Sequence, residues 1–168
     1  MSRNRLETAI ERIQFSRNYT KQFLTELTDE EWFWTPPGFV THIAWQVAHL
    51  ASSQYSLCLL RVRGRKESDD AIIPQDFFEN YRIGSAPQAG IENNPPLDSI
   101  QRIFDAVHAQ VLSEIADKTD EELNIPLESP HPAFETRLGA IEYSPQHELV
   151  HAGQIALLRR LMGKNFKR

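Results

Sequence analysis

The sequence predicts an all-α protein, a four-helix bundle with a long crossover connection between its second and third helices. Three observations lead there. Apolar residues recur at helical spacing in four long segments, and no segment shows convincing strand alternation. A stretch rich in charge, glycine and proline separates the second segment from the third. The 168 residues fit one domain, 1–168, and suffice to bury a core without staples.

In the first segment Leu6, Ala9, Ile10, Ile13, Phe23, Leu24 and Leu27 mark a helix over about residues 3–27. Thr28 to Glu31 reads TDEE, a capping box that opens a short helical turn, and TPPG at 35–38 ends it. The second long helix spans about 41–63. Thr41 is its expected N-cap, Ile43, Val47, Leu50, Leu57 and Leu60 its apolar stripe, and Gly64 its stop.

Residues 64–96 read as the crossover loop, with one short helix near PQDFFENY. Loops this long in a compact domain often carry function. The third helix follows NNPP and runs to about residue 117, with Leu97, Ile100, Phe104, Val107, Val111 and Ile115 as its stripe. A second TDEE at 119–122 repeats the capping box, and NIPLESPHPAFETRLG reads as loop. LGAIEY is a separate turn or short helix. In the last helix Ser144 is the expected N-cap and Pro145 the first helical residue, where its missing N–H costs nothing. Val150, Leu157, Leu158 and Leu161 form the expected stripe and Gly163 the stop.

Composition narrows the function classes. A net charge of -5 lacks the basic balance that phosphate contacts need, so no nucleic-acid partner is expected. The basic RRLMGKNFKR end suits the negative pole of a helix dipole instead. The single cysteine, Cys58, excludes an internal disulfide and fits a reducing compartment. MSRNRLETAIERI carries charge where a secretory signal needs an apolar core. No apolar run reaches the roughly 18 residues of a membrane span. A cytoplasmic protein with no membrane partner is the expectation.

The histidines carry most of the chemistry on offer. His147 and His151, in HELVHAGQI, sit one turn apart, about 6 Å along a helix axis. Two imidazoles at that spacing can share a metal ion, and two surface histidines on an amphipathic helix have the same spacing. With Pro145 as first helical residue, His147 falls in the first turn, where the dipole favours the neutral ring. His49 lies inside the apolar WQVAHLA and needs a partner, either a core hydrogen bond or a metal ion as its third ligand.

His42 lies about 10.5 Å along the axis from His49, too far to share its metal. It lines the mouth of the same cavity or sits at the surface near the cap. His108 and His131 read as exposed helix and loop residues. Gln154 either orients a ligand or packs against backbone. Trp45, one turn before His49, walls the cavity or is simply core. Glu148 reads as solvated and Cys58 as a buried small hydrophobe. These motifs hold no obvious general base, so the catalytic residues are unassigned; one could come from the 64–96 loop.

HIAWQVAHLA together with YSPQHELVHAGQIALLRRLMG resembles the DinB/YfiT-like superfamily of bacterial four-helix-bundle proteins, the damage-inducible bundle family. That family's pattern has one histidine in a W…HL segment of the second helix and two in an HxxxH-x-GQ segment of the last. His49, His147 and His151 match these positions, as do Trp45, Gly153 and Gln154. Many members carry arginine where this chain has Ala152, a departure that bears on whatever binds beside a metal rather than on the metal. The motifs cover a minor part of the chain, and helix order extends the likeness over most of it.

The resemblance implies a three-histidine metal site at His49, His147 and His151, with zinc or nickel first and manganese or iron next. It implies a small-molecule substrate and, by analogy with relatives, a metal-dependent thiol transferase using a low-molecular-weight thiol such as bacillithiol or mycothiol. Maleylpyruvate isomerase is another relative. The alternatives are a metal-dependent hydrolase and a non-catalytic metal- or small-ligand-binding protein of a stress response. The resemblance also implies a homodimer paired through helices, with no interface that the sequence fixes. Enzyme and binding protein differ at one point. An enzyme keeps an open coordination position facing a reachable pocket, whereas a fourth protein ligand closes a binding site.

Overall fold

The computed structural model of the chain describes residues 4–164. Helix α1 (Arg5–Gln22) starts at Asn4, whose side chain accepts the Glu7 N–H at 2.7 Å and so takes up one free backbone donor. The first TDEE capping box opens α2 (Asp29–Trp32), with Thr28 and Glu31 exchanging bonds as expected. Helix α3 (Ile43–Tyr55) runs without a break through a π-helical turn, Ser56–Leu60, into α4 (Arg61–Arg63). Gly64, at φ 78°, ends it.

The crossover is more structured than the sequence suggested. Short 3₁₀ turns at Glu67–Ala71 and Ile91–Asn93 flank α5 (Gln75–Tyr81), which packs against α3. Phe77, Phe78 and Tyr81 are buried there. Arg63 pins the start of the segment, bonding Asp69 and Glu114 at 2.8 Å each. Helix α6 (Leu97–Ile115) buries Ile100, Phe104, Val107, Val111 and Ile115, as its spacing predicted. The second capping box then opens α7 (Asp120–Leu123).

Two expectations fail after α7. The residues read as loop form an antiparallel hairpin, β1 (Pro126–His131) with β2 (Phe134–Thr136). Prolines at 126, 130 and 132 and the lack of apolar alternation hide it from any pattern. The last helix, α8 (Arg137–Leu161), starts at Arg137 rather than Pro145. Thr136 is its N-cap, accepting the Gly139 N–H at 3.1 Å. Ser144 and Pro145 lie buried inside it, where Pro145 removes one ladder bond without ending the helix. Gly139 lets the hairpin lie close, since a Cβ there would stand 3.0 Å from the Phe134 Cβ.

The buried face of α8 is also rotated from the expected one. Leu138, Ile141, Ile155 and Leu158 are buried, whereas Val150, Leu157 and Leu161 are 61%, 40% and 45% exposed. Apolar residues lie all round this helix, so its stripe can be drawn on the wrong side. In the bundle, α3 packs against α6 and α8, and α1 against α8. One apolar cluster, with Ile13, Val47, Leu59, Val107 and Ile141 among its members, fills the space between them. The fold is an all-α helical bundle with one small hairpin. Among the described residues no helix is long and apolar enough to cross a membrane.

Candidate metal centre

Helices α3 and α8 turn imidazoles toward each other. The ring of His49 lies 4.7 Å from that of His151 and 5.3 Å from that of His147, centroid to centroid, and the two α8 rings are 4.5 Å apart. One ring nitrogen from each histidine lies within 4.8 Å of the other two. His49 is buried, His151 nearly so, and His147 half-buried.

Two of the rings have their tautomer set by neighbours. His49 Nδ1 is 2.7 Å from the Tyr81 carbonyl oxygen at the end of α5. A carbonyl only accepts, so Nδ1 carries the proton and Nε2 keeps its lone pair. His151 Nδ1 donates in the same way to Gln46 Oε1 at 2.5 Å. Gln46 is itself held, its Nε2 donating to Thr41 Oγ1 at 2.9 Å. Ser53 Oγ, at 3.2 Å from His49 Nε2, caps that lone pair with a rotatable hydroxyl. One nitrogen anchored on an oxygen and the other left as a lone pair is the arrangement that metal-ligating histidines use.

Burial favours the neutral rings. It lowers the pKa of His147 to about 4, with His49 adding to the effect. It lowers His151 to about 3, with both neighbouring imidazoles adding. His49 is lowered by burial against the raising pull of its Tyr81 bond. The sequence expectation named the helix dipole as the cause. His147 lies well inside α8, so burial is the cause instead.

These residues fit a divalent ion. Tetrahedral zinc, with Zn–N bonds of about 2.1 Å, needs its nitrogens about 3.4 Å apart, which small side-chain rotations reach from the present spacing. Among the described residues no fourth histidine, cysteine or carboxylate joins the group. His147 instead lines a cavity of 330 Å³ that Ser52, Ser53, Phe78, Phe134 and Tyr143 also line.

The family model described as the DinB superfamily matches residues 12–155, a span that contains all three histidines. The chain belongs to the DinB superfamily. No curated protein matches it.

Within this DinB-superfamily bundle the other sequence candidates divide. Trp45 stacks on His49, with centroids 4.8 Å and planes 7° apart, and so walls the imidazole group. His42 is fully buried as the N-cap of α3. Its Nδ1 accepts the Trp45 N–H at 3.1 Å and its Nε2 sits 3.0 Å from the Gln88 carbonyl oxygen, so it ties α3 to the crossover. Gln154 is exposed, and the amide that holds His151 belongs to Gln46. A glutamine inside the apolar IAWQVAHLA was the available signal for it.

Glu148 is not solvated: it is 2% exposed and pairs with buried Arg17 at 2.9 Å. Cys58 is a buried small group as expected, and burial pushes its thiol up to about 12, which removes it as a nucleophile. His108 is half-buried rather than exposed, 3.3 Å from the Gln54 amide, and burial followed by Arg17 lowers it to about 4. His131 belongs to β1 and lines the same cavity as His147. Arg61 and Tyr143, which no sequence pattern singled out, line it too.

Proposed function

We propose that the protein is a divalent-metal-dependent enzyme acting on a small molecule, with His49, His147 and His151 as the metal ligands. Zinc or nickel is the first candidate for the ion, then manganese or iron. The observation that carries this reading is that His147 belongs at once to the imidazole group and to the wall of the 330 Å³ cavity. A fourth protein ligand would favour a closed structural site, and the described residues supply none. A divalent ion held there would acidify a bound water or thiol and polarise a carbonyl.

The chain's own residues prepare the site. The Tyr81 carbonyl and Gln46 orient two rings, Trp45 shields the face of His49, and Phe78 and Phe134 keep the adjoining cavity partly dry. Among the possible reactions, transfer of a low-molecular-weight thiol to an electrophile is favoured over hydrolysis. No aspartate or glutamate lines the cavity to serve as a base. A thiol ionises near pKa 8.5 and bulk water near 15.7, so the thiol needs far less help from the protein. The same proposal puts the protein in the cytoplasm, where such thiols are kept reduced. What supports a homodimer is the exposed apolar strip of Leu149, Val150, Leu157 and Leu161 along α8, and sedimentation of the purified chain tests it.

Elemental mass spectrometry on untagged protein, beside His49→Ala and His151→Ala, is the first test. Near-stoichiometric metal in the parent, lost in both variants, is expected. Metal-dependent turnover of a thiol and electrophile panel should then be absent from His49→Ala. No uptake after incubation with zinc, nickel and manganese would overturn the reading. Bound metal without turnover would leave the non-catalytic binding protein.

A further inference from the structure

The cavity beside His147 is chemically one-sided. Its walls are apolar at Leu57, Leu60, Phe78 and Phe134, and its ionisable and polar groups are hydroxyls, arginines and imidazoles. No carboxylate lines it. Arg82 is exposed and already paired with Glu79 at 2.6 Å. Arg61 is different. It is half-buried, and among the described residues no carboxylate pairs with it. Its guanidinium lies 5.6 Å from the Phe134 ring centre, and its Nη1 donates to the Ser129 carbonyl at 3.3 Å. Its Nε–H is buried with no acceptor. A cation with an orphaned donor and no counter-charge is unfavourable until an acceptor arrives.

His131 supplies a second donor. The Ala133 N–H donates to its Nδ1 at 3.1 Å, so the neutral ring carries its proton on Nε2. Stacking on Phe134, with centroids 4.6 Å and planes 14° apart, fixes the ring. The free nitrogen of His131 is therefore an N–H and not a lone pair.

We propose that this cavity receives small amphipathic carboxylates, with the apolar body against Leu57, Leu60 and Phe78 and the carboxylate taken by Arg61 beside the neutral donor His131. The inference rests on reading the cavity as the substrate pocket of the metal site, and it names the class of substrate: one partner in the reaction bears a carboxylate at the end away from the ion. A carboxylate offers a guanidinium two charge-assisted bonds where an amide oxygen offers one neutral acceptor, which sets the expected preference.

Titration calorimetry of the full chain with 3-phenylpropionate and with 3-phenylpropanamide tests this, first on metal-free and then on zinc-loaded protein. The metal-free protein should bind the acid at least about tenfold more tightly than the amide. Arg61→Gln should erase that preference while still binding the amide, which also shows that the variant is folded, and Arg61→Lys should keep part of it. Equal affinities, no binding of either probe, or a preference that survives Arg61→Gln would overturn the proposal. A preference that appears only with zinc would overturn it too, because the acid would then be reading the ion. Metal content separates the two readings: a metal-free protein that prefers the acid yet takes up no metal fails as a metalloenzyme and still has its carboxylate receptor.

Discussion

Two buried polar groups stand side by side in this bundle, built on opposite plans. Glu148 and His147 are neighbours on α8. Glu148 belongs to an ionic network answered on every side. Arg17 gives Nε to Glu148 at 2.9 Å, Nη1 to the Phe104 carbonyl at 2.6 Å and Nη2 to Gln54 at 2.8 Å, with its guanidinium 3.5 Å over the Phe104 ring. The imidazole group carries no charge at neutral pH, His49 and His151 are each anchored through Nδ1, and His49 Nε2 meets only the rotatable hydroxyl of Ser53. A polar cluster whose partners are all protein holds helices together. One whose second nitrogens meet at most a rotatable hydroxyl can turn them to something that is not protein.

The largest effect that separates the two plans is on stability. Glu148→Ala leaves the Arg17 charge buried without its paired carboxylate, and should cost about 3–5 kcal/mol in urea unfolding. The Arg17→Met/Glu148→Leu pair should recover most of it. A cost below about 1 kcal/mol for Glu148→Ala would break the comparison, because the network would then hold nothing.

His151→Ala should do the reverse. Metal uptake, read by elemental analysis, should vanish, while unfolding of the metal-free protein should shift by no more than about 2 kcal/mol. A larger loss of stability would make the imidazole group structural as well.

Acid sharpens the contrast further. An unfolded histidine titrates near 6.5, whereas His147 and His151 in the fold titrate near 4 and 3. Between those values the unfolded chain binds protons that the folded chain does not, so the metal-free protein should be fully stable above about pH 6.5 and lose stability as pH falls toward 4. His108, also near 4, adds to the same slope. Urea midpoints at pH 7.5, 6 and 5 measure it, and a flat series would refute the burial argument.

The smallest expected effect is that of Gln46→Leu. It frees the His151 ring without removing a ligand, so metal affinity should fall by about 10–100-fold and not disappear. An unchanged affinity in a competition titration would show that the Gln46 bond does not orient the ring.

What the sequence reveals about the site depends on which atoms do the work. His147 and His151 were legible because imidazoles at one-turn spacing leave a pattern, and His49 because it interrupts an apolar run and falls on a family motif. Tyr81 was not, because it acts through its backbone carbonyl, which every residue has. Gln46 left a signal, an amide inside an apolar run, but one that names no partner. The main helices were legible from their stripes and capping boxes, but the start of α8 was not. Ser144 and Pro145 satisfy the rules for a helix start, and Thr136 satisfies them too; the hairpin delivers the chain to Thr136, a tertiary fact no local rule contains. Glu148 was misread for a related reason. Adjacent helix positions diverge by about 100°, which puts a neighbour of an inward histidine outside only if the helix has an outside there. Helix α8 is flanked by α1, α3 and the hairpin, so both directions lead inward.

The π-helical turn at Ser56–Leu60 has a consequence for how such a site can change. A π turn accommodates an extra residue within a helix, and Arg61 comes directly after this one. Deleting one residue from it would restore the α repeat and leave Arg61 and the helix beyond it in register, while changing which of the turn's own side chains, Ser56, Leu57 and Leu60 among them, face the cavity. His49 lies upstream and His147 and His151 lie on α8, so the imidazole group would stay where it is. The loss of a single codon therefore re-lines one wall of the cavity, a short genetic route to a differently shaped space beside an unaltered trio of histidines.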